Sequence, residues 1–128
     1  MNGKLGEVLI LDADAPIRGL LATVVRRIPR KPVMASDGAR ALELLGSNDF
    51  DAVIMDLYFS GAAGSEILSH IHREKPSLLS RVIVITTATK IGTAGELGWV
   101  AAVIRKPFAI DELQSALKRC CERRTGDQ

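Results

Sequence analysis

The sequence predicts a doubly wound α/β domain, a five-stranded parallel sheet with helices on both faces. Short, almost wholly apolar runs rich in β-branched residues recur along the chain, as strands covered on both faces require. Longer segments with apolar residues at helical spacing alternate with them, the pattern of crossovers between parallel strands. The 128 residues are expected to form one domain, with no room for a second module of ordinary size.

Glu7-Val8-Leu9-Ile10-Leu11 is the first expected strand, and it stops at Asp12. Ala15 to Ile28 then carries Ile17, Leu20, Leu21, Val24, Val25 and Ile28 on one helical stripe. Pro16 falls in its first turn, where a missing N–H costs nothing. Lys31 to Ala35 is a weaker strand, and Asp37 can cap a second helix with the stripe Ala41, Leu42, Leu44 and Leu45. Ala52-Val53-Ile54-Met55 is the third strand and runs into Asp56. A loop with Gly61 and Gly64 leads to a third helix bearing Ile67, Leu68 and Ile71. Arg81 to Ile85 is the clearest strand, ending at Thr86-Thr87. Residues 90–98 make a poor helix, because Gly92, Gly95 and Gly98 all disfavour it. Val100 to Ile104 is the fifth strand, ending at Arg105-Lys106-Pro107. Asp111-Glu112-Leu113-Gln114 reads as a capping box for the last helix, with Leu113, Ala116, Leu117 and Cys120 turned inward. Right-handed crossovers at this length point to the flavodoxin-like strand order 2-1-3-4-5.

Composition narrows the function classes. Seventeen Lys/Arg against fifteen Asp/Glu leave a net charge of +2, split seven basic to eight acidic over residues 1–64 and ten to seven over 65–128. Neither half has the basic excess of a dedicated nucleic-acid binder. No apolar run reaches the roughly 20 residues of a membrane span, and Met1 to Gly6 lacks the apolar core of a signal peptide. Cys120 and Cys121 are adjacent, a poor geometry for a structural bridge, so the reducing cytoplasm is the expected setting.

In a doubly wound sheet, ligands bind beyond the carboxyl ends of the strands. Strand 1 ends at Asp12, with Asp14 just beyond; strand 3 ends at Asp56, strand 4 at Thr86 and strand 5 at Lys106. An aspartate after a strand is usually only a turn residue. Two carboxylates, a hydroxyl and an ammonium at matching strand ends, however, are not explained by core packing. Paired carboxylates suit Mg²⁺, which is content with one or two of them plus waters and phosphate oxygens. A carboxylate there can act as a nucleophile toward phosphorus, while Thr86 and Lys106 donate to phosphoryl oxygens. His70 and His72 both lie on the third helix, away from these strand ends.

Over residues 6–122 the chain resembles a response regulator receiver domain, the CheY-like phosphoacceptor of two-component signalling. The resemblance is carried by Val8 to Asp12, Asp37-Gly38 with Ala41-Leu42, Phe50 to Leu57, Gly61 and Gly64, Val82 to Thr86, and Lys106-Pro107-Phe108, in this order and spacing. It implies that Asp56 accepts the phosphoryl group, that Asp12, Asp56 and the Tyr58 carbonyl hold Mg²⁺, that Thr86 is the switch hydroxyl, and that Lys106 pairs with the acyl phosphate. It also implies a cytoplasmic signalling phosphoprotein rather than an enzyme, limited to self-catalysed phosphotransfer and dephosphorylation. The phosphodonor is then a histidine kinase or histidine phosphotransferase, and the output a downstream protein target. Membrane and direct nucleic-acid binding are not expected; homodimerisation is left open.

Three positions depart from the family pattern. Ala13 stands where the principal metal-ligating carboxylate of such domains lies, which should weaken Mg²⁺ binding by about tenfold or more. Val103 stands where an aromatic residue usually follows the switch hydroxyl, and Phe59-Ser60-Gly61-Ala62-Ala63-Gly64 lacks the usual proline and carboxylate. These changes define the alternative, a degenerate receiver that binds partners independently of phosphorylation. A flavin-binding domain is disfavoured by one Trp, one Tyr and no Ser/Thr-rich phosphate loop after strand 1. Gly92, Gly95 and Gly98 lack the context of a dinucleotide fingerprint and are expected to form a flexible fourth helix. Trp99 is expected at the surface beside it, as a docking residue. Basic residues end the first helix (Arg26, Arg27, Arg30, Lys31) and the last (Lys118, Arg119, Arg123, Arg124), where the helix dipole favours cations.

Overall fold

The computed structural model describes residues 5–59, 63–87 and 95–126. The strands are β1 (Glu7–Leu11), β2 (Lys31–Ala35), β3 (Ala52–Asp56), β4 (Val82–Thr86) and β5 (Ala102–Arg105). They form one sheet in the order β2-β1-β3-β4-β5, and every neighbouring pair is parallel. The helices are α1 (Ala15–Arg27), α2 (Gly38–Ser47), α3 (Ala63–Glu74) and α4 (Ile110–Gly126), with 3-10 turns at Pro76–Arg81 and Gly95–Gly98. The expected architecture and strand order are therefore the observed ones.

The pleat explains how continuous apolar runs serve both faces. Leu9, Leu11, Val53, Met55, Val82 and Val84 face α2 and α3. The alternate residues Val8, Ile10, Ala52, Ile54, Ile83 and Ile85 face α1 and α4. Fully burying each large side chain contributes about 1.5–3 kcal/mol, so the two half-cores hold the strand ends in fixed register. Asp37 caps α2 as expected, its carboxylate accepting from the Arg40 N–H.

Four local expectations need correction. The last helix begins two residues earlier than the capping box implied, at Ile110. The Leu113 N–H bonds the Ala109 carbonyl, leaving Asp111 and Glu112 as first-turn anions beside the positive helix end. Arg81 closes a 3-10 turn rather than opening β4, and it is buried. The fifth strand begins at Ala102, two residues after Val100. Trp99 is half-buried against the α2/α3 half-core and stacks on His72, with ring centroids 4.0 Å apart and planes 8° apart. Its large apolar face finds cover within the domain. Of the fourth-helix expectation, Gly95–Gly98 form a 3-10 turn, and Gly92 lies outside the described residues. Gly61 also lies outside them.

Both cysteines are buried and neither is joined in a disulfide; burial pushes the Cys121 thiol pKa up to about 11. Several of the helix-end cations are tied down. Arg30 pairs with Asp51, Arg124 with Asp49, and Arg123 donates to the Ser80 carbonyl.

Candidate functional site

β1, β3, β4 and β5 end on the same edge of the sheet, and the pairing register fixes how far each strand reaches. Leu11 is level with Met55, Asp56 with Ile85, and Thr86 with Arg105. Asp12 therefore follows β1, Asp56 is the last residue of β3, and Lys106 follows β5.

The Lys106 ammonium spans the gap between the two aspartates. Its Nζ lies 2.7 Å from Asp56 Oδ2, a short, charge-assisted distance, and 3.0 Å from Asp12 Oδ2. The remaining oxygen of each aspartate accepts a main-chain N–H two residues on, Asp12 from Asp14 at 2.9 Å and Asp56 from Tyr58 at 2.8 Å. The carboxylates are thus held on both oxygens by their own turns and by one shared cation.

Their access to solvent differs. The Asp12 side chain is 3% exposed and that of Asp56 19%, so Asp56 is the more accessible carboxylate of the pair. Burial pulls the Lys106 pKa down, and hydrogen bonds and charge from Asp56 and Asp12 more than offset this, leaving it above the ordinary lysine value. The single Lys106 ammonium does not by itself balance two carboxylates.

Thr86 is fully buried at the end of β4, and its carbonyl accepts from the Lys106 N–H at 2.8 Å. Tyr58 sits in the turn after β3 with its ring exposed. Within that turn, the Phe59 N–H bonds the Asp56 carbonyl and the Leu57 N–H bonds Ile85 on β4. Gly64, in the first turn of α3, completes the support. A Cβ there would lie 2.1 Å from the Leu57 carbonyl oxygen, so the helix backbone can press against the Asp56 turn only at a glycine.

Ala13 and Asp14 are exposed, and Val103 packs as a half-buried β5 residue against the α2/α3 half-core. Among the described residues, no three His, Cys, Asp or Glu side chains converge on a common metal position. The oxygens at the site are two carboxylates and nearby backbone carbonyls, hard donors of the kind Mg²⁺ takes when waters complete its shell. The donor set fits that ion with one carboxylate fewer than the family pattern supplies.

One contact went unforeseen. Arg18 Nη1 donates to the main-chain carbonyl of Asp12 at 2.8 Å. The usable signal was an arginine one turn into α1, where a side chain aimed at the helix start meets the end of β1.

With this geometry in view, the comparisons with known proteins place the chain in a family. Residues 8–118 match the response regulator receiver domain, and the chain belongs to that family. An NtrX-like response regulator of Rickettsia bellii is 34% identical over 123 residues, covering 93% of this chain and 25% of that protein. The chain thus spans about a quarter of the length of its Rickettsia relatives. Sporulation initiation phosphotransferase F of Bacillus subtilis is 31% identical over 121 residues, covering 93% of this chain and 94% of that protein. The crystal structure of the response regulator TrrA from Thermotoga maritima, in complex with Mg(2+)-BeF, superposes with a TM-score of 0.80 at 24% identity, covering 91% of this chain and 99% of that one. No described helix is long and apolar enough to cross a membrane.

Proposed function

We propose that this receiver accepts a phosphoryl group on Asp56 from a phosphohistidine of a kinase or phosphotransferase, in the cytoplasm, and that the modified domain acts on a downstream protein. The observation that carries the reading is the Lys106 ammonium held 2.7 Å from the more accessible carboxylate of the pair. In the transfer, an Asp56 oxygen bonds to phosphorus as the phosphorus–nitrogen bond breaks, and the electron pair of that bond leaves on the imidazole. Lys106 then turns to the phosphoryl oxygens, and Thr86 is the hydroxyl at the same edge that donates to them. Asp12, Asp56 and the Tyr58 carbonyl would hold Mg²⁺, which when bound offsets the negative charge shared by the carboxylates and the phosphoryl group. The phosphate adds about −1.5 to −2 charges, enough to rearrange the ends of β4 and β5. Beside Lys106, an apolar groove lined by Ile17, Leu20, Pro107 and Phe108 offers a phosphodonor protein a face on which to dock.

Incubation with a small phosphodonor and Mg²⁺, followed by intact-mass measurement, is expected to show one added phosphoryl group in the wild type and none in Asp56→Asn. No addition to the wild type, under conditions that modify an ordinary receiver, overturns the reading. Ala13 and Val103 favour a second one, a phosphorylation-independent interaction module. That rival is supported if Ala13→Asp greatly tightens Mg²⁺ binding while partner binding stays the same.

A further inference from the structure

We infer that Arg18 is a positioning residue of this site, acting through Asp12; the inference rests on the phosphoacceptor reading above. Asp12 is held at three points. Arg18 Nη1 grips its main-chain carbonyl at 2.8 Å, the Asp14 N–H holds Oδ1 at 2.9 Å, and Lys106 holds Oδ2 at 3.0 Å. The Lys106 bond has to loosen when the ammonium turns toward a phosphoryl group on Asp56. From then on, the orientation of Asp12 depends on the Asp14 amide and on Arg18.

Among the residues that follow β1, Asp12 carries this role alone. Ala13 has no carboxylate to share it, and Asp14 is exposed and spends its amide on Asp12. The Asp12 carbonyl lies beyond the β1 ladder, and the Arg18 guanidinium reaches it across six residues of chain. The guanidinium thereby fixes the peptide joining Asp12 to Ala13, and with it the backbone from which the carboxylate projects.

Charge alone assigns Arg18 the opposite role. A guanidinium near two carboxylates repels a divalent cation, so its removal should tighten Mg²⁺ binding. A positioning role predicts weaker binding, because groups that orient a metal ligand from outside its shell typically contribute about 10–100-fold in affinity. The two accounts differ in sign.

The test is Mg²⁺ affinity of the full chain by calorimetry, for wild type, Arg18→Met and Arg18→Lys. Arg18→Met is expected to bind about tenfold more weakly, with Arg18→Lys recovering part of the loss. Phosphoryl uptake by Arg18→Met is expected to slow at limiting Mg²⁺ and to recover at saturating Mg²⁺, a split that mere loss of stability does not produce. If Arg18→Met does not fold, Arg18→Gln carries the same expectation, being polar but too short to reach the carbonyl. Unchanged or tighter Mg²⁺ binding by the folded variant overturns the positioning role. A wild type that binds no Mg²⁺ overturns it together with the metal assignment. A wild type that binds Mg²⁺ but takes up no phosphoryl group overturns the phosphoacceptor reading and leaves the affinity comparison to decide on Arg18.

Discussion

At the amino end of the sheet, Arg81 is buried and its guanidinium donates to the carbonyls of Asp51, Phe50 and Ser77, while Arg30 pairs with Asp51 Oδ2 at 2.8 Å. At the carboxyl end, one ammonium stands between two carboxylates. Both ends hold buried charge on the same five strands. At the amino end, a rigid fork spreads its donors over neutral carbonyls whose positions the fold already fixes, and the side chain has nowhere else to go. At the carboxyl end, a single point charge on a flexible stem faces more negative charge than it can neutralise. The first arrangement secures the fold; the second leaves unbalanced negative charge at an accessible edge, which suits the proposed Mg²⁺ and phosphoryl group.

The sharpest way to break this comparison is to remove Arg81. Arg81→Met strands three carbonyls and is expected to lower stability by about 3 kcal/mol in urea denaturation, with phosphoryl uptake by the folded fraction unchanged. A loss of uptake without a loss of stability would contradict the division.

Two glycines sharpen it further. A Cβ on Gly6 would lie 1.9 Å from Asp51 Oδ2, and one on Gly64 lies 2.1 Å from the Leu57 carbonyl oxygen. Each alanine variant is expected to cost about 2 kcal/mol. Only Gly64→Ala should also slow phosphoryl uptake, because it displaces the turn that carries Asp56.

Next comes the alkaline limb. Because the Lys106 pKa is raised by folding, its contribution is fully present below the unfolded value of about 10.4 and is lost as pH rises through the higher folded value. Comparing wild type with Lys106→Met by denaturation across that window should show the difference shrinking as pH rises.

The smallest effect belongs to exposed Asp49. The Arg124 hydrogen bond and charge hold its carboxyl below the usual value, so its contribution is present above pH of about 3.9 and fades as pH falls through the folded value. Arg124→Gln is expected to return the Asp49 titration toward the ordinary range in an NMR pH series.

The sheet is legible because strands buried on both faces leave unbroken apolar runs, and those runs end beside the cluster of Asp12, Asp56 and Lys106, with Thr86 joined to Lys106 through the main chain. Helix and strand ends slipped by a residue or two at Ala109, Arg81 and Val100. There the deciding bonds are main-chain contacts that few side-chain patterns announce. Trp99 was misjudged because its cover, His72, is 27 positions away in the chain and carries no periodic signal. The Arg18 contact with the Asp12 carbonyl carries no periodic sequence signal for a related reason. An arginine on a helix reads as a solvated cation until the carbonyl it reaches has been placed.

The Trp99–His72 stack gives the molecule an optical property of its own. Trp99 is the single tryptophan, and its ring lies flat on an imidazole from α3 just before β5 begins. Indole emission depends on what touches the ring. Any event at the carboxyl edge that shifts β5 against α3 therefore parts or tightens this stack and changes the intrinsic fluorescence of the unlabelled chain.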